Sequence, residues 1–313
     1  MQTNLQRIGL FFLLLFFFAC NKDSEIIEVT TGEKKPEFLF LGHTYFKSNR
    51  IDPRLEGIDY SRYKGVWLGG DLCSETTRER ATIDYLDDIF DLGNETTHWA
   101  VGNHDVRNGN LDWIREATHR KLFSANTQDG ITIATFDTNV GHVNGRDATC
   151  EDRVEQADFL LNLIDTLQHS SHLVLLTHWV VWGEVESNIP CEVLANNCIN
   201  GFQFLCGGGA SRFPPFLYYK LVALEERGIE VMMVSGDGGV YTKQFHHQTQ
   251  AGIDFFISGL FSTLDRDNPP TFNVGPPVNL NPDSILIFKH LVEERKLDWQ
   301  FVNLDDFVEA QKT

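Results

Sequence analysis

Five times along this chain a short apolar run stops and a polar side chain follows, four of those times after a glycine. Phe38-Leu39-Phe40-Leu41 stops at Gly42-His43, Gly65-Val66-Trp67-Leu68 at Gly69-Gly70-Asp71, and Trp99-Ala100-Val101 at Gly102-Asn103-His104-Asp105. His172 to Thr177 ends at His178, and Ile229 to Val234 ends at Ser235-Gly236-Asp237-Gly238-Gly239. A continuous apolar run of this length is the pattern of a strand buried on both faces, as in a parallel sheet covered by helices. Ligands of such sheets bind beyond the strands' C-terminal ends. The chain is therefore expected to bring five polar strand ends to one rim.

The segments between these runs support that reading. Ile83, Leu86, Ile89 and Phe90 form a helical stripe, with Thr76 to Glu79 expected as a capping box and Gly93 as the stop. Ile131 to Phe136 reads as a strand, and Val154, Leu160, Leu161, Ile164 and Leu167 mark a helix. Phe216 to Arg227 reads as another helix and Ile253 to Ile257 as another strand. Ile285–Leu291 and Leu297–Leu304 read as an antiparallel hairpin turning near Glu293-Glu294-Arg295-Lys296. Residues 183–213 break the rhythm with glycines, aromatics and the cysteines Cys191, Cys198 and Cys206. With no internal repeat and no linker, the reading is one α/β domain over 37–313 carrying a Cys-rich inserted loop at 183–213.

The N-terminus reads as a targeting segment. Arg7 precedes an apolar run from Ile8 to Ala19, which is too short to span a bilayer and suits a signal peptide over 1–19. Phe17-Phe18-Ala19-Cys20 resembles a bacterial lipobox, which implies cleavage before Cys20 and lipidation of its thiol. Asn21-Lys22-Asp23-Ser24-Glu25 resembles the surface-export signal of Bacteroidetes lipoproteins. Residues 20–36 are then a tether, and the expected location is the bacterial cell envelope, facing the periplasm or on the outer-membrane surface. Export favours disulfides, so a bridge among Cys191, Cys198 and Cys206 is expected. A net charge of −18 argues against nucleic acid as a partner. It leaves phosphate substrates open, because a bound cation inverts the local field.

His43, Asp71, Asn103, His104, Asp105, His178 and Asp237 supply imidazoles, carboxylates and an amide oxygen at successive strand ends. Their order resembles the calcineurin-like metallophosphoesterases, whose motifs run Asp-x-His, Gly-Asp, Gly-Asn-His-Asp/Glu, a lone His, then Gly-His-x-His. The resemblance implies two packed sheets flanked by helices, with a metal centre at the strand ends. It implies that Asp71 bridges two ions, that Asn103 and His178 hold the second, and that His104, oriented by Asp105, stabilises charge or donates a proton at the phosphate. The chain departs from the pattern at Leu41, where an acid is expected, and at Asp237 and Gly239, where histidines are expected. The first ion then keeps His43 and Asp71, while the second keeps Asp71, Asn103 and His178, with Asp237 as a fourth ligand. A carboxylate there suits Mn²⁺ or Mg²⁺ more than Zn²⁺, with Fe a further candidate.

The reaction implied is hydrolysis of a phosphomonoester or phosphodiester in a phosphorylated small molecule or glycan. The other reading is a degenerate phosphoesterase fold that binds a ligand or glycan on a surface lipoprotein, which Leu41 and Gly239 favour. Ser74 and Glu75 are expected to cap the next helix, His98 to flank a strand, and His246 and His247 to lie in a solvated turn. Trp179, Trp182, Phe202, Phe204 and Phe213 flank the inserted loop as a sugar or base platform or as packing.

Overall fold

The computed structural model of the chain describes residues 35–140, 148–182, 196, 215–272 and 276–312. The signal peptide, Cys20, the tether as far as residue 34 and nearly all of the inserted loop lie outside the described residues, while Lys35 and Pro36, expected in the tether, already belong to the first strand. Among the described residues no helix is long and apolar enough to cross a membrane.

The strands follow in order: β1 (Lys35–Leu41), β2 (Tyr45–Lys47), β3 (Arg50–Ile51), β4 (Tyr63–Leu68), β5 (Thr97–Trp99), β6 (Ser124–Gln128) and β7 (Ile131–Thr135). β8 (His172–Thr177), β9 (Glu230–Ser235), β10 (Gln244–Gln248), β11 (Asp254–Ser258), β12 (Ser284–Leu291) and β13 (Lys296–Asn303) complete them. The helices are α1 (Pro53–Glu56), α2 (Arg80–Phe90), α3 (Asn103–Val106), α4 (Leu111–Thr118), α5 (Cys150–Thr166), α6 (Pro215–Glu225) and α7 (Leu304–Ala310). One sheet has the order β13-β12-β1-β4-β5 and the other β10-β11-β9-β8-β7-β6, while β2 and β3 form a small hairpin. β1, β4 and β5 run parallel, as do β7, β8, β9 and β11, so their C-terminal ends share one side of each sheet. The expected hairpin is β12–β13, in register from Ser284 opposite Asn303 to Leu291 opposite Lys296.

Side-chain alternation builds a layered sandwich. Phe38, Phe40, Trp67 and Phe288 of the first sheet meet Val174, Leu176, Val234 and Phe256 of the second. The opposite faces pack on helices. Leu39, Leu41 and Leu68 lie with Ile83, Leu86 and Phe90 of α2, and Leu173, Leu175 and Val231 with Leu160 of α5 and Leu221 of α6. Each fully buried Leu or Phe contributes about 1.5–3 kcal/mol. Burial on both faces explains why the strands read as unbroken apolar runs rather than as alternating ones.

Local details depart from the sequence reading. α2 starts at Arg80, and Glu79 at its N-cap makes no side-chain capping bond. The Thr76 hydroxyl instead donates to Asp105, and the helix ends at Asp91 in the left-handed region rather than at Gly93. His246 and His247 lie in β10, where His246 Nε2 is 2.6 Å from Asp254 Oδ1 and its ring stacks on Phe256. Cys73 is buried and free, and Cys150 at the start of α5 is disulfide-bonded. Cys191, Cys198 and Cys206 lie outside the described residues.

His98 does not flank a strand but sits inside β5, 2% exposed, with no hydrogen-bond partner at Nδ1. Burial, aided by the Arg120 charge, lowers its pKa to about 3. The unfolded chain therefore takes up a proton at His98 below about pH 6.5 that the folded chain refuses. Stability from this group is present above that pH and lost as pH falls toward 3, at up to about 1.4 kcal/mol per pH unit. His98→Phe should make the decline of unfolding free energy between pH 6.5 and 4 shallower by about that slope, as read by urea titrations. A parent and variant with identical slopes would show that His98 is not held neutral.

Candidate functional site

The strand ends deliver the site as backbone before they deliver it as side chains. Past β1 and β4 the parallel pairing continues, with Gly69 N–H donating to Leu41 O, His43 N–H to Gly70 O, and Tyr45 N–H to Asp71 O. His43 and Asp71 hold left-handed backbone conformations, with φ of 52° and 54°. Such strain persists where surrounding structure imposes it, and it gathers at functional positions. From the second sheet, Asp237 N–H donates to His178 O, and Leu260 N–H, just past β11, donates to Gly42 O of the first sheet.

The two sheets touch here backbone to backbone. A Cβ on Gly42 would lie 2.5 Å from Ser258 O and 2.6 Å from Gly236 Cα, and one on Gly69 would lie 2.8 Å from Gly236 Cα. No side chain fits between these strands, so His43, Asp71, His178 and Asp237 are drawn into one cluster, all 5% exposed or less.

Three imidazoles share one arrangement. His43 Nδ1 is 2.8 Å from Leu260 O, His178 Nδ1 is 2.8 Å from Gly69 O, and His104 Nδ1 is 2.9 Å from Ser74 O. A carbonyl only accepts, so each Nδ1 carries the proton and each neutral ring presents a bare Nε2. Those three Nε2 atoms face Asp71: His178 lies 3.5 Å from Oδ1, and His104 and His43 lie 3.8 and 4.0 Å from Oδ2. Burial lowers the pKa of His43 to about 3 and of His178 to about 4, so neither supplies a positive charge. Burial also raises Asp71 above the usual carboxylate range, opposed by the His104 ring and its backbone N–H, which donates to Oδ1.

Asn103 is aimed in the same way. Trp179 Nε1–H donates to Asn103 Oδ1 at 2.9 Å, leaving that oxygen 3.3 Å from His178 Nε2. Asp237 Oδ1 is 3.9 Å from His178 Nε2. His178 Nε2 therefore has acceptor oxygens of Asp71, Asn103 and Asp237 around it, at 3.5, 3.3 and 3.9 Å. Ligand bonds of about 2.0–2.2 Å imply ligand separations of about 3.0–3.5 Å. The three separations from His178 Nε2 lie within or a few tenths of an ångström above that. Among the described residues no three His, Cys, Asp or Glu side chains are drawn together tightly enough to hold an ion as they stand. The fourth donor here is an amide oxygen, that of Asn103. An imidazole with its other nitrogen tied to a carbonyl is the usual form of a metal-ligating histidine. The donor set fits a divalent ion.

Asp105 has a different place from the one expected. Its carboxylate accepts from Asp71 N–H, Leu72 N–H, Gly102 N–H, the Thr76 hydroxyl and Trp99 Nε1–H, at 2.6 to 3.3 Å. The His104 ring is oriented instead by Ser74 and by Tyr45, whose ring stacks on it with centroids 4.8 Å apart. Asp105 thus knots the Asp71 loop to the Asn103 loop, and burial with the nearby Asp71 charge pushes its pKa up to about 6.

Two of the three departures from the motif order, at Leu41 and Gly239, fit their surroundings. Leu41 is fully buried in the same apolar cluster as Leu39, Leu68, Leu72 and Leu260. Gly239 has φ of 110°, and a Cβ on it would overlap the Leu260 carbonyl. Backbone occupies the room a side chain at 239 would need.

Sequence reading passed over Tyr45, Asn196 and Arg107 and gave Trp179 a different role, yet the structure brings all four to the site. Tyr45 packs on both His104 and His43, Trp179 orients Asn103, and Asn196 binds the Asp237 turn. Arg107 follows His104 by three positions, and its charge acts on Asp71 and His104. Only Arg107 carried a signal, since i and i+3 positions share a helix face. Ser74, Glu75, His98 and the His246–His247 pair contribute no donor atom to the set; Ser74 contributes its carbonyl.

No family model matches the chain, and no curated protein matches it in sequence. Solved structures do match. A dimetal phosphatase from Danio rerio superposes with a TM-score of 0.50 over 82% of this chain and 93% of its own, at 10% identity. A phosphopantetheinyl hydrolase from Mycobacterium tuberculosis gives a TM-score of 0.43 at 15% identity, over 73% of this chain and 91% of its own. A purple acid phosphatase from yellow lupin seeds gives 0.43 at 12% identity, over 86% of this chain and 52% of its own. At such identity the likeness to the first is one of fold. The chain has the two-sheet metallophosphoesterase fold that its motif order implied.

Proposed function

We propose that this chain is a metal-dependent phosphoesterase that hydrolyses a phosphomonoester or phosphodiester outside the cytoplasm. The carrying observation is the set of neutral imidazoles whose bare Nε2 atoms face both oxygens of the buried Asp71. Asp71, Asn103, His178 and Asp237 would hold the ion, and His43 with Asp71 Oδ2 offers at most a weaker second place. Bound there, a divalent ion neutralises phosphate charge and lowers the pKa of a water.

The chain's own residues do the rest. His104 is the partly exposed imidazole, at 19%, so its Nε2 can meet substrate. That nitrogen accepts a proton as a base or returns it to a leaving oxygen, and Ser74 O steadies the charged ring through Nδ1–H. Tyr45, itself packed against His43, stacks on the His104 ring and holds it in its plane. Arg107 is exposed and makes no side-chain hydrogen bond or ion pair among the described residues. It supplies positive charge at the rim of an acidic protein, where an anionic substrate would approach.

The test is metal content per chain after dialysis against Mn²⁺, together with hydrolysis of p-nitrophenyl phosphate and its bis-ester. The expected result is at least one ion per chain and turnover of one of the two esters. Arg107→Ala should raise KM about tenfold with kcat little changed, the loss of roughly one charge-assisted contact. A parent that binds no ion and turns over neither ester would overturn the proposal. The reading of a ligand- or glycan-binding lipoprotein would then take its place, favoured by the core position of Leu41 and the closed backbone at Gly239.

The same proposal includes a lipid on Cys20 and residence in the cell envelope, supported by the apolar run that ends at Ala19. Cys20→Ala should move the protein from the membrane to the soluble fraction, since each buried CH₂ of a lipid contributes about 0.8 kcal/mol. Unchanged fractionation, with no fatty-acid label on the parent, would exclude the anchor.

A further inference from the structure

The turn that carries Asp237 is held from two sides by asparagines distant in sequence. Asn196 comes from the segment that interrupts the α/β rhythm, and Asn279 from the connection between β11 and β12. Asn196 N–H donates to Asp237 O at 2.9 Å, its Nδ2 donates to Gly238 O at 2.7 Å, and its Oδ1 accepts from Val240 N–H at 2.8 Å. Asn279 N–H donates to Val240 O at 2.8 Å, and its Nδ2 donates to Tyr241 O at 3.2 Å.

The turn needs such support. It contains Gly236, Gly238 and Gly239, and its internal closure is Gly239 N–H to Thr242 O. Fixing a backbone residue costs conformational entropy, and glycine costs the most. The start of the turn is tied to the end of β8 through Gly236 N–H and Asp237 N–H, and a carboxylate there binds an ion more tightly when the glycines after it are ordered as well. Asparagine suits the task, because one side chain offers both a donor and an acceptor and can bridge successive peptide groups.

We propose that Asn196 and Asn279 are positioning residues for Asp237, clasping the turn that carries it. The inference rests on the reading of Asp237 as a ligand. Groups that hold a ligand in place typically set metal affinity by about 10- to 100-fold.

Calorimetric titration of the mature protein with Mn²⁺ tests this, beside the melting temperature of each metal-free variant. Asn196→Ala should weaken Mn²⁺ binding about 10- to 100-fold while the metal-free melting temperature stays near that of the parent. Asn196→Asp keeps the acceptor for Val240 N–H and loses the donor to Gly238 O, so it should fall between the two. Asn279→Ala should weaken binding by a smaller factor, and it serves as the reading should Asn196→Ala fail to fold. Parent-like affinity in both alanine variants, with binding lost in Asp237→Ala, would overturn the clasp and leave the ligand standing. Parent-like affinity in Asp237→Ala would overturn the ligand assignment, and the clasp with it. Equal losses of stability with and without Mn²⁺ would mark the asparagines as scaffold only, which also overturns the proposal.

Discussion

Replacing Asp237 by alanine should strip the tighter ion from the protein and abolish hydrolysis while leaving the fold intact. The side chain is fully buried, and Asp237 N–H holds the turn to His178 O through the backbone, which the substitution keeps. What goes is one of four donor atoms and the second negative charge of the set. An affinity loss of at least about 100-fold is expected, equivalent to about 2.7 kcal/mol. A metal-free melting temperature near that of the parent, combined with lost metal, would distinguish a ligand from a structural aspartate. Asp237→His should recover binding with a preference shifted toward Zn²⁺, for which imidazole is a good ligand. Full metal content and full activity in Asp237→Ala would refute the site as drawn.

The second expectation is that restoring the motif order destroys rather than completes the centre. Gly239→His would place a Cβ 2.5 Å from the Leu260 carbonyl carbon, on a backbone with φ of 110° that L-residues avoid. Leu260 O is the group that holds His43 Nδ1, so the displaced residue is the one that orients the remaining imidazole. Leu41→Asp would bury a carboxylate among Leu39, Leu68, Leu72 and Leu260, with a cost of about 3–5 kcal/mol expected for an uncompensated buried charge. Each variant should lose several kcal/mol in urea unfolding and gain no second equivalent of Mn²⁺. A folded double variant that binds two ions would show that the backbone adapts and that only side chains were missing.

Much of this molecule was legible in its residues, for a physical reason. Strands covered on both faces must be apolar throughout, so Phe38–Leu41, Val66–Leu68 and Leu173–Leu176 announce themselves, and the first polar residue after each marks the rim. Long-range competition was not legible. Thr76 to Glu79 satisfies a local capping pattern, yet Asp105 draws the Thr76 hydroxyl away from that role across 29 residues of chain. His98 is a polar residue orphaned inside a strand, and His246 meets Asp254 only because β10 pairs with the adjacent β11. Asn196 lies in an aperiodic stretch where nothing in composition sets one asparagine apart. Its importance arises only when the Asp237 turn arrives beside it.

The closure of the sheets at Gly42, Gly69 and Gly236 bears on how this protein should be read by mutagenesis. In a saturation library scored for activity, these positions should reject even alanine, because a single methyl group would wedge two sheets apart at the rim. Ligand positions should lose activity as well, but truncating Asp237 keeps the backbone bond from its N–H to His178 O. Scored in parallel for folded protein, the glycines should fail both screens and the ligands only one.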